Sequence, residues 1–234
     1  MEMSNNVGKY FKKGCRIIMS RIIPITKRCV LCDRGHEYRE LASTNAFGAC
    51  DLDLRPPEMK RSTMPLWVEE CPFCGYVSGD ISKLPVDASE VSKVIDFISR
   101  ESFQCTEKKV FASELACKFY KQYMLSREFG DNEKSFYALL HAAWACDDKN
   151  DKENAILCRK IALEFLENLI LNDKDNENLR LQKADLLRRS GDFDAVIKQY
   201  SSEEFSNELL NKIVHFQLEK SKLKDDACYT VADV

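Results

Sequence analysis

The hydrophobic pattern divides the chain near Pro85. Downstream of it, apolar residues recur at helical spacing and no further proline interrupts them. Asp87-Ala-Ser-Glu90 reads as a capping box, and Val91, Val94, Ile95 and Ile98 then share one face. A second helix starts near Thr106 and carries Ala112, Leu115, Ala116, Phe119, Tyr120 and Tyr123. Gly130 ends it, and Asp131 caps a third helix carrying Phe136, Leu139, Leu140, Ala143 and Trp144. The fourth, about residues 152–171, is apolar around most of its circumference. Cys158, Ile161, Ala162, Phe165 and Leu169 form one face, and Ile156, Leu163, Leu166 and Ile170 another. Such a helix needs neighbours on two sides. Beyond a polar loop, Leu179, Leu181, Ala184 and Leu187 lead to a sharp joint at Gly191-Asp-Phe193. Val196, Ile197 and Tyr200 follow. Ser201-Ser-Glu-Glu204 is read as the cap of a last helix with Phe205, Leu209, Ile213 and Phe216, and the polar end is expected to fray.

Upstream of Pro85 the pattern is short and broken. Two Cys-x-x-Cys hooks organise it, Cys29-Val-Leu-Cys32 and Cys71-Pro-Phe-Cys74. Each hook lets two thiolates reach one ion from a tight turn, and the two together complete a tetrahedral four-sulfur shell. Zinc is the expected metal. Iron is the alternative, since paired Cys-Pro-x-Cys-Gly hooks also occur in rubredoxin-like sites. Gly75 suits the positive φ of the turn after the second pair. Leu66-Trp-Val-Glu-Glu and Tyr76-Val-Ser read as strands on either side of that hook. His36 lies near enough in sequence to compete as a ligand, although four cysteines already fill the shell. In Asp51-Leu-Asp-Leu-Arg55, an extended chain would put Asp51, Asp53 and Arg55 on one side. They would serve as an ion-pair network pinning a long loop or, alternatively, as a site for a small polar ligand or cation.

Charge changes the picture at one end. Residues 1–28 hold Lys9, Lys12, Lys13, Arg16, Arg21, Lys27 and Arg28 against Glu2. That is a net of +6, so the remainder carries −9 of the overall −3. A basic arm on an acidic body either meets an anionic partner or lies on the body itself. The cysteines outside the hooks are Cys15, Cys50, Cys105, Cys117, Cys146, Cys158 and Cys228. Several lie in apolar helical stretches, as free thiols in a reducing compartment do. The apolar run Ile17–Ile25 is broken by Arg21 and lacks a cleavage pattern, and no stretch is long enough to span a membrane. The expectation is a soluble, cytoplasmic protein without a membrane partner.

The segment Ala184-Asp-Leu-Leu187-Arg-Arg-Ser-Gly191-Asp-Phe193-Asp-Ala-Val196 resembles the middle of a tetratricopeptide repeat, and Ala143, Cys146 and Ala155 hint at a weaker copy. The two hooks, Ser43–Gly48, Asp51–Pro56 and Trp67–Tyr76 together resemble a bacterial family of uncharacterised proteins that joins two zinc-ribbon hooks to tetratricopeptide-like (TPR-like) helices. The resemblance implies an architecture and a metal and leaves function open.

The expected fold is α+β, a small N-terminal zinc-ribbon-like β domain followed by an all-α, TPR-like array of helical hairpins. The expected parts are a basic arm (1–24), a zinc-ribbon-like domain (25–84), a helical domain (85–223) and a frayed tail (224–234). Cys29, Cys32, Cys71 and Cys74 are the metal ligands. The leading functional expectation is a non-enzymatic module whose helical groove binds a protein or peptide. The second is weak nucleic-acid binding through the arm and ribbon. The third is an enzyme using Asp51, Asp53, Arg55 and His36. Against an enzyme stand the closed thiolate shell and the lack of a phosphate-binding glycine loop or nucleophile motif.

Overall fold

The computed structural model describes residues 20–84, 87–104 and 111–234. Lys9, Lys12, Lys13, Arg16, Cys15, Pro85, Cys105 and the helix start near Thr106 fall outside the described residues.

Isoleucine-rich β1 (Arg21–Arg28) begins inside the stretch assigned to the basic arm and pairs antiparallel with β2 (Gly35–Ser43). The first hook forms the tip of this hairpin. β2 was not foreseen, because its polar-rich sequence, Gly-His-Glu-Tyr-Arg-Glu-Leu-Ala-Ser, shows too little apolar alternation to announce a strand. β3 (Glu69–Glu70) and β4 (Val77–Ser78) form a second antiparallel pair around the second hook. Buried charge lashes the hairpins together. Lys27 donates to Glu69 at 2.7 Å, and the other oxygen of Glu69 accepts from the Ile81 amide at 2.8 Å. The Val30 amide also donates to the Ile81 carbonyl at 3.1 Å.

The helices are α1 (Val91–Ile98), α2 (Glu101–Gln104), α3 (Glu114–Glu128), α4 (Asn132–Asp147), α5 (Lys152–Asn172), α6 (Glu177–Arg189), α7 (Phe193–Tyr200) and α8 (Glu208–Lys222). Short polar side chains start most of them. Ser113, Asp131, Asp151, Asn176 and Asn207 each accept a backbone N–H from the first turn of α3, α4, α5, α6 and α8, respectively. Asp87 makes no such side-chain bond. Gly130 and Gly191 adopt φ +74° and +81° where α3 and α6 end. α5 packs on both α4 and α6, as its two apolar faces require. The last helix starts at Asn207 rather than at Ser201–Glu204, and Phe205 is a buried loop residue held by Asn211.

One continuous apolar cluster runs from Cys29, Met64, Val68, Tyr76 and Ile81 into Val94, Phe119, Phe136, Leu140 and Leu166, so the hooks and the helices share a core. A second cluster joins Leu52 to Leu181, Val196, Ile213 and Leu218. Residues 225–234 pack against it through Tyr229, Val231 and Val234. They do not fray but form a strap. The Leu52 amide donates to the Tyr229 carbonyl at 2.9 Å, and the Val231 amide to the Cys50 carbonyl at 2.9 Å. Arg188, wholly buried, donates to the carbonyls of Asp225 and Ala227 at 2.8 Å each. Tyr229 and Val231 supply the apolar contact that a short segment with three aspartates conceals.

Candidate metal centre

Each hook turns on a residue with positive φ placed directly after its second cysteine, Asp33 at +55° and Gly75 at +76°. In both, that residue's amide closes the turn on the carbonyl of the first cysteine, from Asp33 to Cys29 at 2.8 Å and from Gly75 to Cys71 at 2.9 Å. A side chain at Gly75 would also meet the Gln104 amide, whose Nε2 lies 2.9 Å from the position of a Cβ there. The second hook is thus capped by α2.

The four sulfurs lie within 4.8 Å of one another. The closest approaches run across the hooks, Cys29 Sγ to Cys74 Sγ at 3.7 Å and Cys32 Sγ to Cys71 Sγ at 3.6 Å. A tetrahedron with metal–sulfur bonds of 2.3 Å has edges of about 3.8 Å, so the donor set fits one ion. Burial pushes the Cys29 and Cys74 thiols up. Burial acts on Cys71 too, but the amides of Cys74 and Phe73 and the neighbouring thiols outweigh it and lower this thiol. Amides aimed at the sulfurs are what a thiolate-bound metal needs around it. Four cysteines at ligand distance suit both zinc and iron.

His36 is not part of this shell. It pairs with Lys27 across the hairpin, with its ring edge-on to Tyr38 at 5.2 Å and to Phe73 at 6.2 Å.

Asp51, Asp53 and Arg55 lie on one turn, closed by the Asp51 amide on the Arg55 carbonyl at 3.0 Å, and their buried side chains are taken by different partners. Asp53 is completely buried. Its Oδ2 accepts from Trp144 Nε1 at 2.7 Å and from Arg189 Nη1 at 3.2 Å, and its Oδ1 accepts from the Arg55 amide at 3.2 Å. Arg55 Nη2 donates to Asp148 at 2.6 Å, and Asp51 pairs with Arg61 and accepts from the Cys228 thiol at 3.3 Å. Arg159 and Arg189 meet on Asp147, which they hold below its usual carboxylate range despite burial. Burial and the nearby Asp185 push Asp53 up, against Arg189 and Arg159. Every carboxylate named here is spoken for by a cation, which makes this the ion-pair network that pins the loop to the helices. Trp144, Asp147, Asp148, Arg159 and Arg189 were not foreseen as its members. A tryptophan beside acidic residues at the end of α4 was the signal available.

Two cysteine hooks on short antiparallel strands, sharing a core with a succession of packed helices, define a protein with a candidate four-cysteine metal site and a helical body. The chain belongs to the family described as "Uncharacterized protein conserved in bacteria (DUF2225)", whose model matches residues 28–227. No curated protein and no solved structure matches the chain. No helix among the described residues is long and apolar enough to cross a membrane.

Proposed function

We propose that the chain is a non-enzymatic protein-interaction module in which a structural zinc locks the two hairpins and the helices α3–α8, TPR-like in their arrangement, carry a protein or peptide partner. The observation that supports this reading best is the all-thiolate shell. Four cysteines at tetrahedral spacing leave no coordination position for a substrate or an activated water. The carboxylates that would serve an acid–base mechanism are engaged with cations and the Trp144 indole in the buried network. Zinc is preferred over iron as the usual occupant of a closed four-thiolate structural site. In the helical body, Ala184, Leu187 and Val196 are buried around the Gly191 turn, the placement a tetratricopeptide hairpin gives its small and apolar positions.

A second reading, nucleic-acid binding at the tip of the hooks, draws on Phe73. This ring is 48% exposed, with the Arg34 guanidinium 5.2 Å from its centroid and His36 edge-on to it. An exposed aromatic beside a guanidinium is what bases stack on.

Metal analysis and partner capture test both readings. Purified, reduced protein is expected to be colourless and to hold about one zinc per chain, and Cys71→Ser is expected to lose it and unfold the hairpins. A preparation with no metal refutes the site, and a coloured one assigns iron. Affinity capture from the native cell is expected to enrich a protein that survives nuclease treatment and deletion of residues 1–20. Nanomolar oligonucleotide binding abolished by Phe73→Ala would overturn this order.

A further inference from the structure

The strap lies in a groove between α6, α8 and the Cys50–Leu52 stretch of the loop, and groove and strap differ in kind. Asp51, Leu52 and Arg188 on the groove side are buried, whereas every strap residue from Asp225 to Val234 keeps part of its surface in water. The joint to α8 is Leu223, the most exposed of the large apolar side chains, and Lys224, at φ +55°. The groove is fixed from the helix side. Gln217 accepts from Arg188 Nε and Asp185 from its Nη2, which aims Nη1 at the strap carbonyls of Asp225 and Ala227. The two backbone bonds between loop and strap flank an antiparallel bridge of Asp51 to Thr230. The Tyr229 ring sits edge-on to Phe216 at 5.0 Å, with Lys220 Nζ 4.5 Å and the Arg188 guanidinium 5.3 Å from its centroid. Charges match across the contact. Lys220 lies 3.8 Å from Asp225 and Lys152 2.6 Å from Asp226, while Asp51 on the groove side is committed to Arg61.

We propose that this groove is a peptide-binding site for an extended acidic segment of a partner protein, and that the strap is its built-in occupant, which the partner displaces. The proposal rests on the interaction reading above and names the site and the kind of segment. Nothing the strap gives the groove depends on its tether to α8. Two carbonyls for Arg188, one edge of backbone pairing, an aromatic ring and two carboxylates come equally well from another chain. Backbone pairing supplies affinity for any extended segment, and side-chain pockets supply selectivity. Here the pockets select an aromatic residue preceded by acidic residues three and four positions earlier, as Asp226 and Asp225 precede Tyr229. A tethered occupant competes at an effective concentration of about a millimolar, so the strap excludes weak ligands and yields only to a segment that matches it.

The test is fluorescence anisotropy with a labelled synthetic peptide of residues 224–234, titrated under reducing conditions with the full-length, metal-loaded chain. The wild type is expected to bind it weakly, because its own strap competes. Tyr229→Ala loosens that strap from the strap side and is expected to bind the peptide about tenfold or more tightly, with circular dichroism and metal content unchanged. Asp226→Lys sets two lysines against each other at the exposed end of the strap, leaves the core untouched and is expected to act in the same direction. Adding Lys220→Glu to either variant reverses the charge at the groove wall and is expected to cancel the gain. Equal binding by wild type and both loosened variants, or equal binding of a peptide of scrambled order, would overturn the site, while the interaction reading keeps its own test in partner capture. Undiminished binding of a peptide with both leading aspartates changed to asparagine would overturn the acidic class. A dimer that forms with rising concentration in light scattering and is lost in Tyr229→Ala would assign the groove to the strap of a second copy and overturn the partner.

Discussion

His141 sits on α4 where the loop, α3 and α4 meet, ringed by Trp67 and Phe119 at 5.1 Å each, Trp144 at 5.0 Å and Tyr137 at 6.3 Å. Loss of hydration in this half-buried cage, with Arg55 adding repulsion, pushes its pKa down from 6.5 to about 4. A histidine kept neutral by the fold makes stability depend on pH in one direction. The unfolded chain takes up a proton below 6.5, and the folded chain does so only near 4. The contribution is therefore fully present above 6.5 and is lost as pH falls toward 4. Between pH 7 and 5 the difference in proton binding amounts to about 2 kcal/mol for a shift of this size. Urea unfolding at the two pH values measures it. His141→Phe keeps an aromatic ring in the cage and removes the proton. The wild type is expected to lose about 2 kcal/mol more than this variant over the same interval. The comparison subtracts the carboxylates and any strain of the metal site at the lower pH. If the two proteins lose stability in parallel, or if the imidazole titrates near 6.5 by nuclear magnetic resonance, the cage does not exclude the charged ring and the argument fails.

Two further outcomes follow from the buried polar residues. Asp53→Ala strands Arg189 and the Trp144 indole in the interior and is expected to cost about 3–5 kcal/mol, whereas Asp53→Asn, which keeps an acceptor for the indole, should cost less than half of that; equal losses in chemical denaturation would count against the network. A chain ending at Leu223 loses both backbone bonds to the loop and two acceptors of Arg188, and should be destabilised by about 3 kcal/mol or more; an unchanged urea midpoint would show that the strap contributes nothing.

The hook pairs were legible in the sequence because a metal shell needs specific atoms at a fixed local spacing, and Cys-x-x-Cys states that spacing outright. The long helices were legible for a similar reason, since 3.6-residue periodicity and an Asp or Gly at each end are local properties. The doubly apolar face of α5 even announced its two neighbours, which are α4 and α6. Where local chemistry is ambiguous the reading failed. β2 pairs through its backbone while its side chains remain mostly outside, so no apolar alternation marks it. The strap looks like a disordered tail because its hold on the body comes from backbone groups and from one buried arginine far along the chain. Asp51, Asp53 and Arg55 could be seen as a charged cluster, but their partners Arg61, Trp144, Asp148 and Arg189 are mostly remote in sequence. A carboxylate's role is set by what faces it, and only the packing of the loop between α4 and α6 decides that. The same packing brings Arg159 and Arg189 together on Asp147, a meeting to which no local pattern in the chain points.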